Sequence, residues 1–314
     1  MFNSNTIDKA EFILFMERLK NENQQYKQLS GSKELKMGVY LRDFINAFKS
    51  LESLKKFIKN TDGKFRWKLL CRKYPIRHPD SYNTECNYFS DEKFIVYTCI
   101  FGNYDIPQEP LFKPDNCEFY IITDQDVPDG SLWRKIDVKE QIPGYDGLTN
   151  AEKNRFCKMM PHVIFPDVRK SVYIDGNIKV VSDLTEFINK DLRCGMQFHN
   201  HKARTCVYDE IEACKIIRKA SSQSLNDYGK YLQKQGFPKH YGMVECNVIV
   251  RDHCNERTCR IMEQWWDDFL NHTVKRDQLS LPCLLWKNGI KIDQVNKLGN
   301  NVQDNPALRV TGHR

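Results

Sequence analysis

The sequence predicts an α/β fold built around a largely buried central sheet. Residues 94–101 form a continuous apolar run of strand length that leads directly into a glycine loop. A second apparent strand, 118–122, ends at Thr123-Asp124, and a third, 171–174, ends at Asp175-Gly176-Asn177. Continuous apolar runs are typical of strands that are buried on both faces. Ligand sites in open α/β sheets lie beyond the carboxyl ends of the strands, so three acid-bearing loops indicate one site.

Length and composition fit one large or two small soluble domains. The chain has 314 residues, of which 40% are hydrophobic and 28% charged. No apolar run approaches the roughly 18 residues of a membrane helix, and the start lacks a signal-peptide pattern. The twelve cysteines include no C-x-x-C pair, so we expect reduced thiols. These observations predict a cytoplasmic protein.

The basic character of the chain belongs to its first third. Residues 1–90 hold 17 Lys and Arg against 10 Asp and Glu, whereas residues 91–314 hold 31 of each. We therefore predict a basic helical N-terminal region, 1–90, and an α/β domain, 91–314. The neutral balance of the α/β domain argues against binding to nucleic acid. The N-terminal region has two open interpretations: a helical layer packed on the main domain, or peripheral contact with an anionic membrane at its inner face.

Helical spacing of apolar residues predicts helices over 7–28 and 33–60. Asn60-Thr61-Asp62-Gly63 is expected to end the second of them. The polar tail from about residue 296 is expected to be loosely held.

The third strand end is the most informative stretch. Gly176 permits a tight bend that leaves Asp175 and Asn177 at the edge of the strand. A carboxylate and an amide presented together can hold a divalent cation or sugar hydroxyls. Asp-Gly and Gly-Asn are also common hairpin pairs, so a plain turn remains the alternative.

Two further segments place charged groups where they could serve that site. A helix expected over 150–162 puts Arg155 and Lys158 one turn apart on one face. Asp277 falls at the start of a later helix, where its charged form is favoured. A solvated helix face and a helix cap are the structural alternatives.

Polar residues also mark two later strands. In the strand expected over 241–250, Glu245 and Asn247 share one face because they lie two residues apart. His201 and Arg204 follow the strand expected over 196–199. Each of these residues could equally serve the structure alone.

The motifs, in chain order, resemble those of a known family. They are Tyr97-Thr-x-x-Phe-Gly-Asn-Tyr-Asp105, Thr123-Asp124, Arg155-x-x-Lys158-x-x-Pro-His162, Tyr173-Ile-Asp-Gly-Asn177, His201-x-x-Arg204, Tyr208-x-Glu210 and Arg276-Asp-Gln-x-Ser280. In this order they resemble a glycosyltransferase-like family of bacterial capsule and O-antigen loci, which has plant relatives linked to mucilage. The resemblance covers about residues 93–290. It implies a GT-A-like mixed sheet flanked by helices, a nucleotide-sugar donor and a saccharide acceptor, free or lipid-linked.

The resemblance also implies roles for individual residues. Asp175 and Asn177 stand where GT-A enzymes usually carry Asp-x-Asp, so they would hold Mn²⁺ or Mg²⁺, with an amide replacing the second acid. Asp277 and Gln278 match an Asp-Gln pair beside the donor sugar and, with Glu245, are the catalytic candidates. The donor-binding candidates are Thr98, Phe101, Gly102, Asn103, Tyr104, Asp124, Arg155, Lys158, Asp175, Gly176 and Asn177. The acceptor or phosphate candidates are His201, Arg204, Asn247 and Arg276.

The resulting prediction is a glycosyltransferase of surface-polysaccharide synthesis. One alternative is a hydrolase acting on a lipid or glycoside, although the chain contains neither G-x-S-x-G nor H-E-x-x-H. The other alternative is a non-catalytic sugar-binding module on the same fold, which Asn177 would permit.

Overall fold

The computed structural model describes residues 9–76, 91–190, 192–272 and 274–313. The helices are α1 (Lys9–Gly31), α2 (Lys33–Ala47), α3 (Leu51–Lys73), α4 (Asn150–Met159), α5 (Pro161–Ile164), α6 (Thr185–Ile188), α7 (Val207–Ile216), α8 (Ser222–Lys234), α9 (Glu256–Asn271) and α10 (Asp277–Lys287). The strands are β1 (Phe94–Ile100), β2 (Cys117–Thr123), β3 (Trp133–Ile136), β4 (Lys170–Ile174), β5 (Ile178–Val180), β6 (Met196–Asn200), β7 (Val244–Asp252) and β8 (Leu308–Val310).

The main sheet is mixed. Its six strands lie in the order β3-β2-β1-β4-β7-β6. Strands β1 to β4 pair in parallel, whereas β7 is antiparallel to both β4 and β6. A small second sheet pairs β5 with β8. With helices on both faces and an N-terminal helical region, the predicted fold class is confirmed.

Alternation along the strands divides the core between the two faces of the sheet. In β1, Ile95 and Tyr97 pack with the helical layer that contains Phe156 and Trp265. Their neighbours Phe94 and Val96 point to the opposite cluster, which includes residues of β5, α6 and β8. A third cluster joins α7, α8 and the start of α10. Burial on both faces explains the continuous apolar pattern of β1.

Strand direction determines which residues meet at one edge. The carboxyl ends of β1, β2 and β4 lie at the same edge because these strands are parallel. Strand β7 begins there because it runs the opposite way: Ile174 pairs with Val248, and the Asp175 amide donates to the Asn247 carbonyl at 2.9 Å. The start of β7 is therefore brought level with the Asp175 loop.

The N-terminal helices differ from the expected boundaries. The predicted single helix over 33–60 is two helices that break near Phe48, where Ser50 caps α3 by accepting from the Ser53 amide. Helix α3 then continues through Gly63, so the expected end at 60–63 is wrong. Asp62 pairs with Arg66 one turn later at 2.8 Å, which supports the helix across the glycine.

The expectation of a loosely held C-terminal tail is also wrong. Leu308 of β8 is fully buried and pairs with Val180. On the outer side, Asn23 of α1 donates to the carbonyls of Pro306 and Leu308 at 2.9 and 3.0 Å. Helix α1 therefore packs on the main domain through the C-terminal segment.

Two further properties concern the described residues. All the cysteines among them are free. None of the described helices combines the length and the apolar character needed to cross a bilayer. Residues 77–90, at the end of the predicted N-terminal region, lie outside the described residues.

Candidate active site

Two carboxylates and a lysine meet at the edge where β4 ends. Lys158 Nζ lies 2.6 Å from Asp277 Oδ2 and 3.5 Å from Asp175 Oδ1. The three residues come from α4, the loop after β4 and the first turn of α10. Arg155, one turn before Lys158, lies with its Nε 3.2 Å from Asp277 Oδ2. The structure thus brings together four of the predicted site residues.

Helix α4 presents both cations to the site. Thr149 and Glu152 form a reciprocal capping box that fixes its first turn. At its other end, the buried Arg251 donates to the Lys158 carbonyl and to the Tyr97 hydroxyl. The helix is therefore held at both ends, and Lys158 is completely enclosed.

The charges in this cluster stabilise one another. Burial opposes ionisation of Asp277, but Arg155, Lys158 and Arg276 hold the pKa of its carboxyl well below the usual value. Burial likewise opposes the charge on Lys158, but Asp175 and Asp277 raise the pKa of its amine. Asp277 and Lys158 are consequently both charged at neutral pH.

Asp175 is the more accessible of the two carboxylates. Its side chain is 35% exposed, compared with 7% for Asp277. Its Oδ1 also accepts a hydrogen bond from the Tyr173 hydroxyl at 2.8 Å. Asp175 is therefore accessible from solvent, whereas Asp277 lies buried against Lys158 and Arg155.

Gly176 is needed for close packing. A Cβ at this position would lie 2.7 Å from Ile100 Cγ1 and 3.5 Å from Asp105 Cβ. The loop after β4 consequently packs against the loop after β1, and the two predicted donor-binding stretches are adjacent.

Asn177 is held by the C-terminal segment. Its side-chain amide donates to the Thr311 carbonyl at 3.0 Å, and its own carbonyl accepts from the Thr311 amide at 2.8 Å. The side-chain oxygen of Asn177 is a possible ligand, as is the half-buried carboxylate of Asp175 two residues earlier. Together they offer two oxygen ligands of the kind that Mg²⁺ and Mn²⁺ accept, so these residues fit a divalent cation whose remaining ligands are donor oxygens.

The loop after β1 has a strained conformation. Gly102 and Asn103 both have positive φ, 67° and 53°, and the Gly102 amide donates to Asp124 Oδ2 at 2.7 Å. Phe101 is buried below the loop, while Tyr104 is largely exposed. Strain of this type is frequent at ligand sites.

Thr98 is not part of this group. It lies within β1 and is buried, and its hydroxyl has no hydrogen-bond partner among the residues that the structure describes. Its side chain alternates with those of Tyr97 and Cys99, so it faces the side of the sheet opposite α4.

The start of β7 contributes a second polar group. Glu245 accepts from the Val302 amide at 3.3 Å and the Lys202 amide at 3.4 Å, and burial raises the pKa of its carboxyl. Asn247 donates to Glu245, but its buried Oδ1 has no partner among the described residues. Gln278 donates to the Val244 carbonyl at 3.3 Å. This links the start of α10 to the same edge.

His201 and Arg204 belong to a neighbouring cluster. His201 Nδ1 accepts from the Arg204 amide at 2.9 Å, and the Arg204 guanidinium pairs with Glu210. Both residues line a cavity of about 840 Å³, together with residues of the loops before β7 and after α10. Arg276, which precedes Asp277, is half-buried and lies on the side of the charged cluster.

The described residues contain one group of three His, Cys, Asp or Glu side chains with ligand atoms all within 4.8 Å: Cys206, Asp209 and His240. His240 also lines the cavity. The predicted metal residues Asp175 and Asn177 are not part of this group.

Two residues near the site, Tyr173 and His313, are not among the residues predicted from the sequence. The Tyr173 hydroxyl could have been found, because Tyr173 and Asp175 lie two residues apart on one face of a strand. His313 gave no signal: it lies 136 positions after Asn177, yet its Nδ1 is 3.0 Å from Asp105 Oδ1 and its ring lies 5.4 Å from that of Tyr104. The C-terminal segment thus contacts the loop after β1.

Residues 80–303, well over half of the chain, match the family model described as "TOD1/MUCI70, glycosyltransferase-like domain". The chain belongs to this family. The predicted class, a glycosyltransferase, is confirmed at the level of this domain.

A curated relative and several solved structures are similar to this chain. The "Probable hexosyltransferase MUCI70" of Arabidopsis thaliana is 24% identical over an alignment of 217 residues that covers 59% of this chain and 36% of the relative. The chain therefore spans about a third of the length of that relative. Among solved structures, the WbbM bifunctional glycosyltransferase aligns at 12% identity and TM-score 0.40, over 64% of this chain and 39% of that one. Mouse xyloside xylosyltransferase 1 aligns at 8% identity and TM-score 0.39, over 65% and 83%.

Proposed function

We propose that this protein transfers a hexose from a nucleotide-sugar donor to a saccharide acceptor. The observation that carries the proposal is the charged cluster of Lys158, Arg155, Asp175 and Asp277 at the carboxyl edge of the sheet in a glycosyltransferase-like domain. The name of the plant relative supports a hexose as the transferred sugar.

The charge of the cluster suits a sugar diphosphate. Lys158, Arg155 and Arg276 carry three positive charges, and Asp175 and Asp277 carry two negative ones. The excess of one positive charge, with a divalent cation, compensates the charge that develops on a departing nucleoside diphosphate. Asp277 holds the two α4 cations in place before the donor arrives.

Asp175 and Asn177 would hold that cation. When bound, Mg²⁺ or Mn²⁺ would neutralise diphosphate oxygens of the leaving group. The Gly102–Tyr104 loop, fixed by Asp124, would receive the nucleoside.

The acceptor side is assigned to the start of β7 and α10. Asn247 has an unsatisfied buried oxygen that can accept from a sugar hydroxyl. Glu245, whose pKa is raised by burial, is the candidate base for the attacking hydroxyl. Gln278 and the cavity with His201 and Arg204 would orient the rest of the acceptor.

We further propose surface-polysaccharide synthesis, such as that of capsule or O-antigen, as the setting, at the cytoplasmic face of a membrane. The support is the resemblance of the motif set and the basic N-terminal region. A lipid-linked saccharide is the acceptor that fits this location.

A panel of nucleotide sugars, with and without Mn²⁺, tests the activity. A transferase is expected to hydrolyse one donor slowly and to transfer its sugar when an acceptor is added. Binding without turnover for every donor would favour the sugar-binding module. Cleavage of glycosides or lipids with no response to nucleotide sugars would favour the hydrolase.

A further inference from the structure

Helices α2 and α3 form a hairpin with an exposed apolar tip. We define the tip as Ile45, Phe48 and Leu51, whose side chains are 65%, 71% and 69% exposed. Soluble proteins seldom leave several large apolar side chains exposed next to one another, and such patches mark interaction surfaces.

The hairpin is also strongly basic. Residues 33–73 hold 12 Lys and Arg against 4 Asp and Glu, a balance of +8 that exceeds the +7 of the whole chain. Lys49 lies between Phe48 and Leu51 of the tip, and Lys55, Lys56 and Lys59 follow on α3. An apolar patch among lysines matches the headgroup region of an anionic bilayer.

The hairpin is a defined structure attached at its other end. Within it, Phe57 packs on Tyr40 and Phe44, each with ring centroids 5.7 Å apart. Its contacts with the main domain come from the second half of α3: Arg66 donates to the Ile216 carbonyl at 3.2 Å, and Tyr74 to Asp209 at 3.4 Å. The tip lies at least 15 residues before Arg66, about 22 Å along a helix.

We propose that this hairpin docks the protein on an anionic membrane, with the tip among the lipid headgroups and the lysines on lipid phosphates. A second copy of the chain is a poorer occupant, because two hairpins of charge +8 repel each other.

Docking would tether the cavity to the membrane at about the length of the hairpin, because the cavity lies at its base. At the base of the hairpin, Lys202 lies 5.0 Å from the Trp67 ring and Arg204 lies 5.4 Å from the Tyr74 ring. Arg204 also lines the cavity. If the transfer proposed above is correct, a lipid-linked acceptor would reach the cavity from the bilayer surface.

Co-sedimentation with vesicles tests the docking. The full-length protein is mixed with phosphatidylcholine vesicles that contain or lack phosphatidylglycerol, at low and high salt. We expect binding only with the anionic lipid, weakened by salt. The variant Ile45→Glu/Phe48→Glu/Leu51→Glu should bind about tenfold or more weakly, since three exposed apolar contacts are lost and three negative charges are added beside the lysines. Leu111→Glu, at an exposed apolar residue of the main domain, is the matched control and should bind normally.

Two outcomes would overturn the proposal: no binding of the wild type to anionic vesicles at low salt, or equal binding of the tip variant. A dimer in gel filtration that the tip variant dissolves, without vesicle binding, would assign the surface to self-association instead. Turnover on a soluble donor should be unchanged in the tip variant. The failure of each proposal can therefore be told apart: absence of transferase activity in the wild type contradicts the proposed function, whereas absence of vesicle binding contradicts the docking.

Discussion

Replacing Asp277 by Asn tests the centre of the proposed site. The substitution keeps the size of the side chain and can keep the contact with the Gln278 amide, which donates to Asp277 Oδ1 at 3.0 Å. It removes the charge that lies 2.6 Å from Lys158 and 3.2 Å from Arg155. Lys158 is 2% exposed and cannot recover hydration in the folded state.

The size of the effect follows from this burial. Removing one partner of a buried ion pair costs about 3–5 kcal/mol. We expect about 3 kcal/mol, because Asp175 remains 3.5 Å from Lys158 and Arg155 is partly exposed. For a domain of this size, that loss lowers Tm by about 6–12 °C. Turnover should fall about 100-fold or more, with donor affinity changed less, since a positioned charged group is lost.

Thermal unfolding and donor turnover are measured on the same variants. Lys158→Met combined with Asp277→Asn should recover part of the lost stability, because the fully enclosed Lys158 amine is then removed together with its partner, but it should remain inactive. Asp146→Asn is the matched control, since its exposed pair with Lys139 should contribute little. An unchanged Tm would refute the energetic role of the pair, and normal turnover would remove Asp277 from the site.

Three other changes test separate regions of the structure. Asp175→Ala should abolish metal-dependent donor binding with the fold intact; unchanged affinity in calorimetry would leave Asp175 a turn residue. Gly176→Ala should lower stability by about 1–3 kcal/mol through the clash with Ile100, and a normal melting temperature would contradict the packing argument. Burial raises the pKa of Asp183 to about 6. Because the folded state binds this proton more tightly, the stability it contributes is present below about pH 4 and is lost as pH rises through 6. Asp183→Asn should therefore remove a fall in Tm between about pH 4 and 6, and a flat wild-type profile would refute this.

The strands and the loops after them could be predicted because their signals are local. The run over 94–101 is apolar because both faces of β1 are covered, and two of the loops place their acid directly after the strand: Asp124 after β2 and Asp175 after β4. The helix start at Asp277 was visible for the same reason. The roles assigned to the individual residues stay predictions.

Pairings between distant segments could not be predicted. Lys158 and Asp277 are 119 positions apart, and a solvated helix face was an equally good interpretation of Lys158 from sequence alone. Similarly, the polar composition after residue 296 suggested a loose tail, whereas a few apolar residues such as Val302 and Leu308 are enough to bury it. The hydrophobic pattern of a segment predicts that its residues are buried, but it does not predict which other segment packs on them.

Arg251 explains why the site can act through fixed charges. It is completely buried, burial lowers the pKa of its guanidinium, and its donors are used on the Lys158 carbonyl and the Tyr97 hydroxyl. The Arg251 guanidinium fixes the backbone at the end of α4, while Asp277 and Asp175 fix the Lys158 amine. Lys158 therefore has little freedom to move when a ligand binds. Charges that need no rearrangement stabilise developing negative charge most effectively, which favours a diphosphate leaving group at this edge of the sheet.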